Sequence, residues 1–462
     1  MHFKKTAAAV LACLALFSAC SKKGGSGESV ESATGPFDWQ RAKGTEITVW
    51  MVQHSTTDAL QQQINDFQNL TGIKVNVSVT PEANYFDKVN NALPSKSGTP
   101  DVFMTGVYQM WNYATSGFLE GLDPYFANSA LVGPDYDYDD FVESVINALR
   151  WDGKTGHRGG TGTLWALPLG CEIYSLAYNK PAFEKAGITK PPVTYDELLA
   201  VCKKLQGWNG AQSYPLALRG ARDWGTIHPA YLSTYANFGA VDFAIEGGKL
   251  VSKVNSPESI AMNKFWVELV QTGAAKDWTS KYWYISQSDL GAGIAAMDWD
   301  ADNTEVLVNL GDYKEKGNIA FTMMPVAKAG DTVKSNFWIW AASMNASSKN
   351  KIGAWLFLQY FTGKEFLKSA SVQGNNMDPV RTSTWQDPGF QAKMADQEGF
   401  ISTFNKTSEN ASILFTPQPA FFETTTEWAS ALQDMVAGAP VEERLNKLKQ
   451  FMDAAVADVK VE

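Results

Sequence analysis

Histidine and cysteine are scarce in this chain, four of each among 462 residues. The spacings that would make them chemically useful are missing too. No Cys-x-x-Cys, His-Glu-x-x-His, Gly-x-Ser-x-Gly or Gly-x-x-x-x-Gly-Lys occurs, which removes the usual dithiol, zinc-hydrolase, serine-hydrolase and phosphate-loop signatures. The acidic run Asp298 to Asp302 carries Asn303 and Asn309 where a calcium loop needs glycine and glutamate, so no metal is expected there. The acidic, aromatic segment Asp135 to Phe141 fails the same test and reads as a solvated loop. Basic charge is short: 39 Lys and Arg stand against 49 Asp and Glu, and nothing after Lys23 concentrates them. Nucleic acid is therefore a poor partner. Long apolar runs are lacking as well. The run Ala7 to Phe17 has eleven residues, against about 20 for a membrane-spanning helix. Neither a catalytic residue nor a cofactor is expected, although a pair of carboxylates is all that a glycosidase needs.

That short run is the first informative feature. Lys4 and Lys5 precede it and Ser18-Ala19 follow it, directly before Cys20. This is the pattern of a secretory signal peptide over residues 1–19, and the cysteine after the small pair resembles a bacterial lipobox. Cys20 is then the expected lipidation site. Residues 20–44, rich in Ser, Gly, Lys and Glu, read as a flexible tether to a membrane.

Downstream the periodicity changes. Ile47 and Val49 alternate with polar neighbours, Leu60, Ile64 and Phe67 recur at helical spacing up to Gly72, and Ile73, Val75, Val77 and Val79 alternate again. Strand, crossover helix and strand imply a parallel sheet and an α/β fold. Ligands gather at the carboxyl ends of strands in such sheets, which directs attention to Trp50 to Ser55, Asn84 and Gly106 to Trp111. Thr194 with Glu197, Ser256-Pro257, and Thr362 with Glu365 predict later helix starts. Trp266, Trp355 and Trp428 fall on apolar stripes and are assigned to the core, and Cys202 joins Leu198 and Leu205 as a buried thiol. A disulfide between Cys171 and Cys202 is left open. Sixteen tryptophans are nevertheless more than packing requires.

Several stretches taken together resemble the family 1 extracellular solute-binding proteins, the ligand receptors of ABC-type importers. They are Phe67 to Val75 with Thr99-Pro100-Asp101-Val102, Leu164 to Pro168 leading to Leu176 to Lys180, and Gly293 to Met297. The resemblance runs from Thr45 to the C-terminus. It implies a two-lobed, maltodextrin-binding-protein-like α/β fold with three hinge crossings, near 173–179, 321–326 and 373–377. The lobes are then 45–172 plus 327–372 and 180–320 plus 378–462. Within the family, Gly106-Val107-Tyr108-Gln109, Pro168 with Glu172, Leu218-Arg219-Gly220 with Trp224-Gly225, Met297 with Asp300, Phe337 to Ala341, and Arg381 with Ser383 look most like the polyol-binding subgroup. The implied protein is an extracytoplasmic, monomeric, lipid-anchored receptor that hands a sugar or sugar alcohol to permease subunits in the membrane.

Polyol chemistry fits those residues. A sugar alcohol has apolar C–H faces and vicinal hydroxyls, so it needs aromatic plates and groups that accept or donate in pairs. Tyr108, Trp224, Trp338 and Trp340 are candidate plates, of which either Trp338 or Trp340 stacks on the ligand. Glu172 and Asp300 are candidate acceptors, and Arg219 and Arg381 candidate donors. Trp50, Asn84 and Gln109 complete the candidate set from the strand-end loops. A linear sugar alcohol leads, with a mono- or disaccharide next. A secreted carbohydrate-active enzyme and a surface lipoprotein without a transport role are the alternatives.

Overall fold

The computed structural model describes residues 29–461. Eight strands form one hydrogen-bonded sheet: β1 (Glu46–Val52), β2 (Lys74–Thr80), β3 (Val102–Gly106), β4 (Leu167–Asn179), β5 (Tyr214–Ala217), β6 (Ala295–Ala301), β7 (Ile319–Thr322) and β8 (Phe337–Met344). Their order is β2-β1-β3-β8-β4-β6-β5, with β7 also on β4. The expected β-α-β unit is present. β1 and β2 run parallel from Glu46 opposite Lys74 to Val52 opposite Thr80, and α1 (Ser55–Thr71) crosses between them. This helix opens where His54 accepts the Thr56 N–H and stops at Gly72, whose φ of 69° is a left-handed conformation suited to a residue without Cβ. Leu60 and Phe67 form its buried stripe.

β4 joins two halves of the molecule. It pairs with β8 from Leu167 to Ile173, then with β6 and β7 from Tyr174 to Asn179. Its nearly unbroken burial matches the continuous apolar run of a strand covered on both faces. Helices α2 (Glu82–Ala92) and α3 (Val107–Thr115) flank the first half. Helices α4 (Trp224–Ile227), α5 (Trp283–Gly291) and α6 (Asp302–Leu310) belong to the second. After β8 the chain returns to the first half as α7 (Lys351–Phe361) and α8 (Lys364–Val372), then contributes α9 (Phe400–Ser408) and α10 (Phe421–Val436) to the second.

The capping box of Thr194 and Glu197 forms, Ser256 caps its helix through the Ser259 N–H, and Trp266, Trp355 and Trp428 are buried. Cys171 and Cys202 are both buried and free, so no disulfide joins them. Among the described residues no helix is long and apolar enough to cross a membrane.

Four expectations need correction. Residues 29–44 are docked instead of forming a loose tether: Asn128 donates to the carbonyls of Val30 and Ala33 at 2.9 and 3.0 Å, and Trp39 packs edge-on against Tyr360 at 6.1 Å. Residues 1–19 and Cys20 lie outside the described residues. Thr362 builds no capping box, because its hydroxyl donates to the Leu358 carbonyl at 2.7 Å and Gly363 is the N-cap of α8. The Asp135 to Phe141 segment is not simply solvated, since Tyr136 and Phe141 are buried. Residues 378–394, expected with the second half, pack against the first: Val142 N–H donates to the Val380 carbonyl at 2.9 Å, and Lys393 donates to the Ser371 carbonyl at 2.9 Å.

Candidate cleft between the two halves

A cavity of about 270 Å³ lies where the two halves meet. Its walls are built at strand ends: Gln53 to Ser55 follow β1, Arg219 follows β5, and Asn303 and Thr304 follow β6. Glu172 enters from β4, directly opposite Trp338 on β8. Its side chain is in an 8 % exposed residue and accepts from the Trp340 indole N–H at 3.0 Å. Burial raises the Glu172 pKa to about 7; Arg219 opposes that shift, and Asp300 and Glu82 reinforce it.

The aromatic wall is continuous. Trp224 lies 5.3 Å from Trp338, and Trp338 meets Trp340 edge-on at 5.1 Å. Both β8 tryptophans line the cavity, as their period-2 spacing on one strand face allows. Trp338 is seated on bare backbone. A Cβ at Gly106 would stand 1.9 Å from its Cη2 atom, so a glycine is needed there.

Arg219 is held from behind by Asp300. Its Nε donates to both carboxylate oxygens, at 2.8 and 3.1 Å, and Nη2 donates to Oδ1 at 2.5 Å. Nη1 donates to the Gly225 carbonyl and to His228 Nε2, each at 3.2 Å. All but one of the guanidinium N–H groups are thus satisfied by protein. Burial works against the Arg219 charge, but Asp300 outweighs it and holds the pKa above the usual arginine range. Because Arg219 can only donate, His228 Nε2 must accept, and the ring proton sits on Nδ1, donated to Tyr174 Oη at 2.7 Å. Burial, with Arg219 beside it, pushes the His228 pKa well down.

Two cavity residues went unnamed in the sequence set and carry chemistry. His54 caps α1 through Nδ1, 3.2 Å from the Thr56 N–H. Its proton therefore sits on Nε2, a donor, and burial lowers its pKa to about 4. His54 sits in the strand-end loop from Trp50 to Ser55, whose position is its sequence signal. Glu82 opens α2 in the first half and Trp283 opens α5 in the second, and both line the cavity. Burial raises the Glu82 pKa. Tyr282-Trp283-Tyr284 was the available sequence signal.

Glu172, Arg219, Trp224, Trp338 and Trp340 are brought together around the cavity. The other candidates are not part of its lining. Asp300 is spent on Arg219. Tyr108 is buried behind the wall, 5.1 Å from Trp338, with its hydroxyl accepting from Asn336 at 2.8 Å. Gln109 is buried there too, and its amide has no partner among the described residues. Trp50 lies under the Lys88 ammonium at 4.2 Å, and Asn84 is exposed on α2. Arg381 is fully buried elsewhere. It donates to the Thr362 carbonyl at 2.8 Å and the Tyr136 carbonyl at 3.1 Å, and stacks on Phe141 at 3.6 Å.

Known proteins resemble this chain in sequence and fold. An erythritol/L-threitol-binding protein of Mycolicibacterium smegmatis is 37% identical over 445 residues, covering 96% of this chain and 93% of that protein. A solute-binding protein of Agrobacterium vitis with bound D-mannitol superposes at a TM-score of 0.75 and 22% identity, covering 90% of this chain and 99% of the other. One from Agrobacterium radiobacter in complex with ribitol gives 0.76 and 21%, with the same coverage. These two likenesses establish the mixed α/β fold of the two-lobed solute-binding proteins. The profile of the bacterial extracellular solute-binding proteins matches residues 53–366, and the chain belongs to that family.

Proposed function

We propose that this protein is the extracytoplasmic receptor of an ABC importer and that it binds a short linear sugar alcohol in the cleft between its halves. The observation that carries this reading is the composition of the cavity wall. Trp224, Trp338 and Trp340 offer flat apolar faces, Glu172 and Glu82 accept hydrogen bonds, and His54 and the last N–H of Arg219 donate. That is a complement to C–H faces and hydroxyls. A cavity of about 270 Å³ falls just below the usual size of small-molecule sites, roughly 300–1,000 Å³, which favours a compact alditol over a disaccharide. The 37% identity to an erythritol/L-threitol-binding protein supports the same class.

The receptor returns its ligand unchanged. Its lobes are 45–172 plus 327–394 and 180–320 plus 400–462, a division that moves the third crossing to 395–399 on the strength of the packing of residues 378–394. Ligand bridging Glu172 and Trp338 on one side and Arg219 and Trp224 on the other favours closure, because those contacts exist together only in the closed state. Permease subunits then distinguish the loaded receptor by the spacing of its two lobes. The protein acts as a monomer held to the membrane by lipid on Cys20. A thermal-shift screen of tetritols, pentitols, hexitols, monosaccharides and disaccharides tests the ligand class, since a tight ligand raises apparent stability by mass action. Stabilisation by alditols, greatest for the shorter ones, is expected. Stabilisation by disaccharides alone would overturn the proposal.

A further inference from the structure

The cleft has an uneven charge. Three carboxylates line it: Asp58 on α1, Glu82 on α2 and Glu172 on β4. Among the described residues Arg219 is the single cationic side chain in the lining, and Asp300 already neutralises it through a buried pair, 2.5 Å from Nη2 to Oδ1. The two histidines, His54 and His228, are neutral, because burial holds their pKa values down. Helix N-termini reach the cavity as well and ordinarily attract anions. Here α1 carries Asp58 in its first turn, α2 carries Glu82, and α6 carries Asp302 and Glu305, so three of those positive ends meet an acid of their own.

Resting on the reading of the cleft as a polyol site, we infer that the cleft selects its ligand by charge: it takes the neutral polyol, keeps the amino-substituted analogue, and rejects the carboxylate or phosphate derivative. An anionic group entering the cavity meets Glu82 from one half and Glu172 from the other, both set in partly or fully buried walls, where like charges repel more strongly than in open water. The one free N–H of Arg219 cannot make the two-pronged contact by which arginine usually holds a carboxylate or phosphate. An ammonium group meets the opposite situation, carboxylates on two walls and tryptophan faces between them. Glu82 and Glu172 are thus specificity-determining residues, and their like charge is the device.

The test is isothermal titration of the full mature protein at pH 7.5 with erythritol, with its aldonate erythronate, and with a 1-amino-1-deoxy tetritol. The aldonate is expected to bind at least 30-fold more weakly than erythritol, and the amine within threefold of erythritol or more tightly. In Glu82→Gln and Glu172→Gln the readout is the ratio of aldonate to erythritol Kd, which separates charge selection from a general loss of binding. That ratio is expected to narrow in at least one variant. Far-UV circular dichroism checks that both are folded, and the wild-type ratio decides the matter by itself if they are not. An aldonate bound within threefold of erythritol, an amine rejected as strongly as the acid, or a ratio unmoved in both folded variants overturns the inference. Absence of binding by every alditol overturns the polyol reading beneath it, a distinguishable result.

Discussion

Asp300 grips Arg219 by both carboxylate oxygens, with Nε at 2.8 and 3.1 Å and Nη2 at 2.5 Å. The pair is nearly fully buried and spans β6 and the loop after β5. Asp300 therefore orients the arginine that lines the cavity, and does not itself line it.

Removing Asp300 should cost folding stability. Breaking a buried ion pair from one side leaves an uncompensated charge and typically destabilises by about 3–5 kcal/mol. Asp300→Ala is expected to lower the urea midpoint of the ligand-free protein, and the unfolding free energy extrapolated from it by an amount in that range. A midpoint equal to wild type would mean that water reaches the guanidinium in place of the carboxylate.

Glu172 should behave in the opposite way. Its carboxylate is buried at a pKa of about 7, so the charge is a burden to the empty protein and an asset to the complex. Glu172→Gln is expected to raise the melting temperature of the empty protein at pH 8 and to weaken alditol binding by about 1.5–3 kcal/mol, the range for a hydrogen bond to a charged group. Calorimetry and a thermal melt on the same preparation separate the two effects.

The pH dependence of stability follows from the same physics. Burial raises the pKa of Glu172 to about 7 and also raises Asp298, Glu305 and Asp378, each further raised by neighbouring acids. Such groups bind more protons folded than unfolded between their ordinary pKa, about 4, and the raised one. Their contribution is full below about pH 4 and is lost as pH rises through each raised pKa, about 7 for Glu172. The empty protein should melt at a higher temperature at pH 5.5 than at pH 8, measured in buffers of matched ionic strength.

Gly106 should tolerate no side chain. Gly106→Ala puts a Cβ 1.9 Å from Trp338 Cη2, and overpacking of this kind costs about 1–3 kcal/mol. Loss of stability in a thermal melt is expected, with weaker alditol binding as Trp338 leaves its seat.

Much of the fold was legible because it depends on local periodicity. The alternation from Ile73 to Val79, the stripe Leu60 to Phe67, the Gly72 stop and the Thr194 capping box each report a neighbour a few residues away. The site was legible only in part. Positions 219 and 300 are 81 residues apart in sequence, and nothing local says that β5 and β6 are neighbours and that one side chain is consumed by the other. Arg381 failed for a similar reason: its partners, the carbonyls of Tyr136 and Thr362, are backbone atoms that any sequence would supply. Thr362 kept the capping-box letters, but its hydroxyl had a nearer acceptor in the Leu358 carbonyl.

The cleft between Glu172 and Arg219 is expected to bind a polyol and to release it intact. Titrating the mature protein with erythritol in a calorimeter, then recovering the ligand for chromatography, tests this most directly. One ligand per chain, quenched or shifted tryptophan fluorescence at saturation, and erythritol recovered unchanged are the expected results. No heat with erythritol or any longer alditol would mean that the cleft is not a polyol site, and a new product in the recovered ligand would mean that the protein is an enzyme.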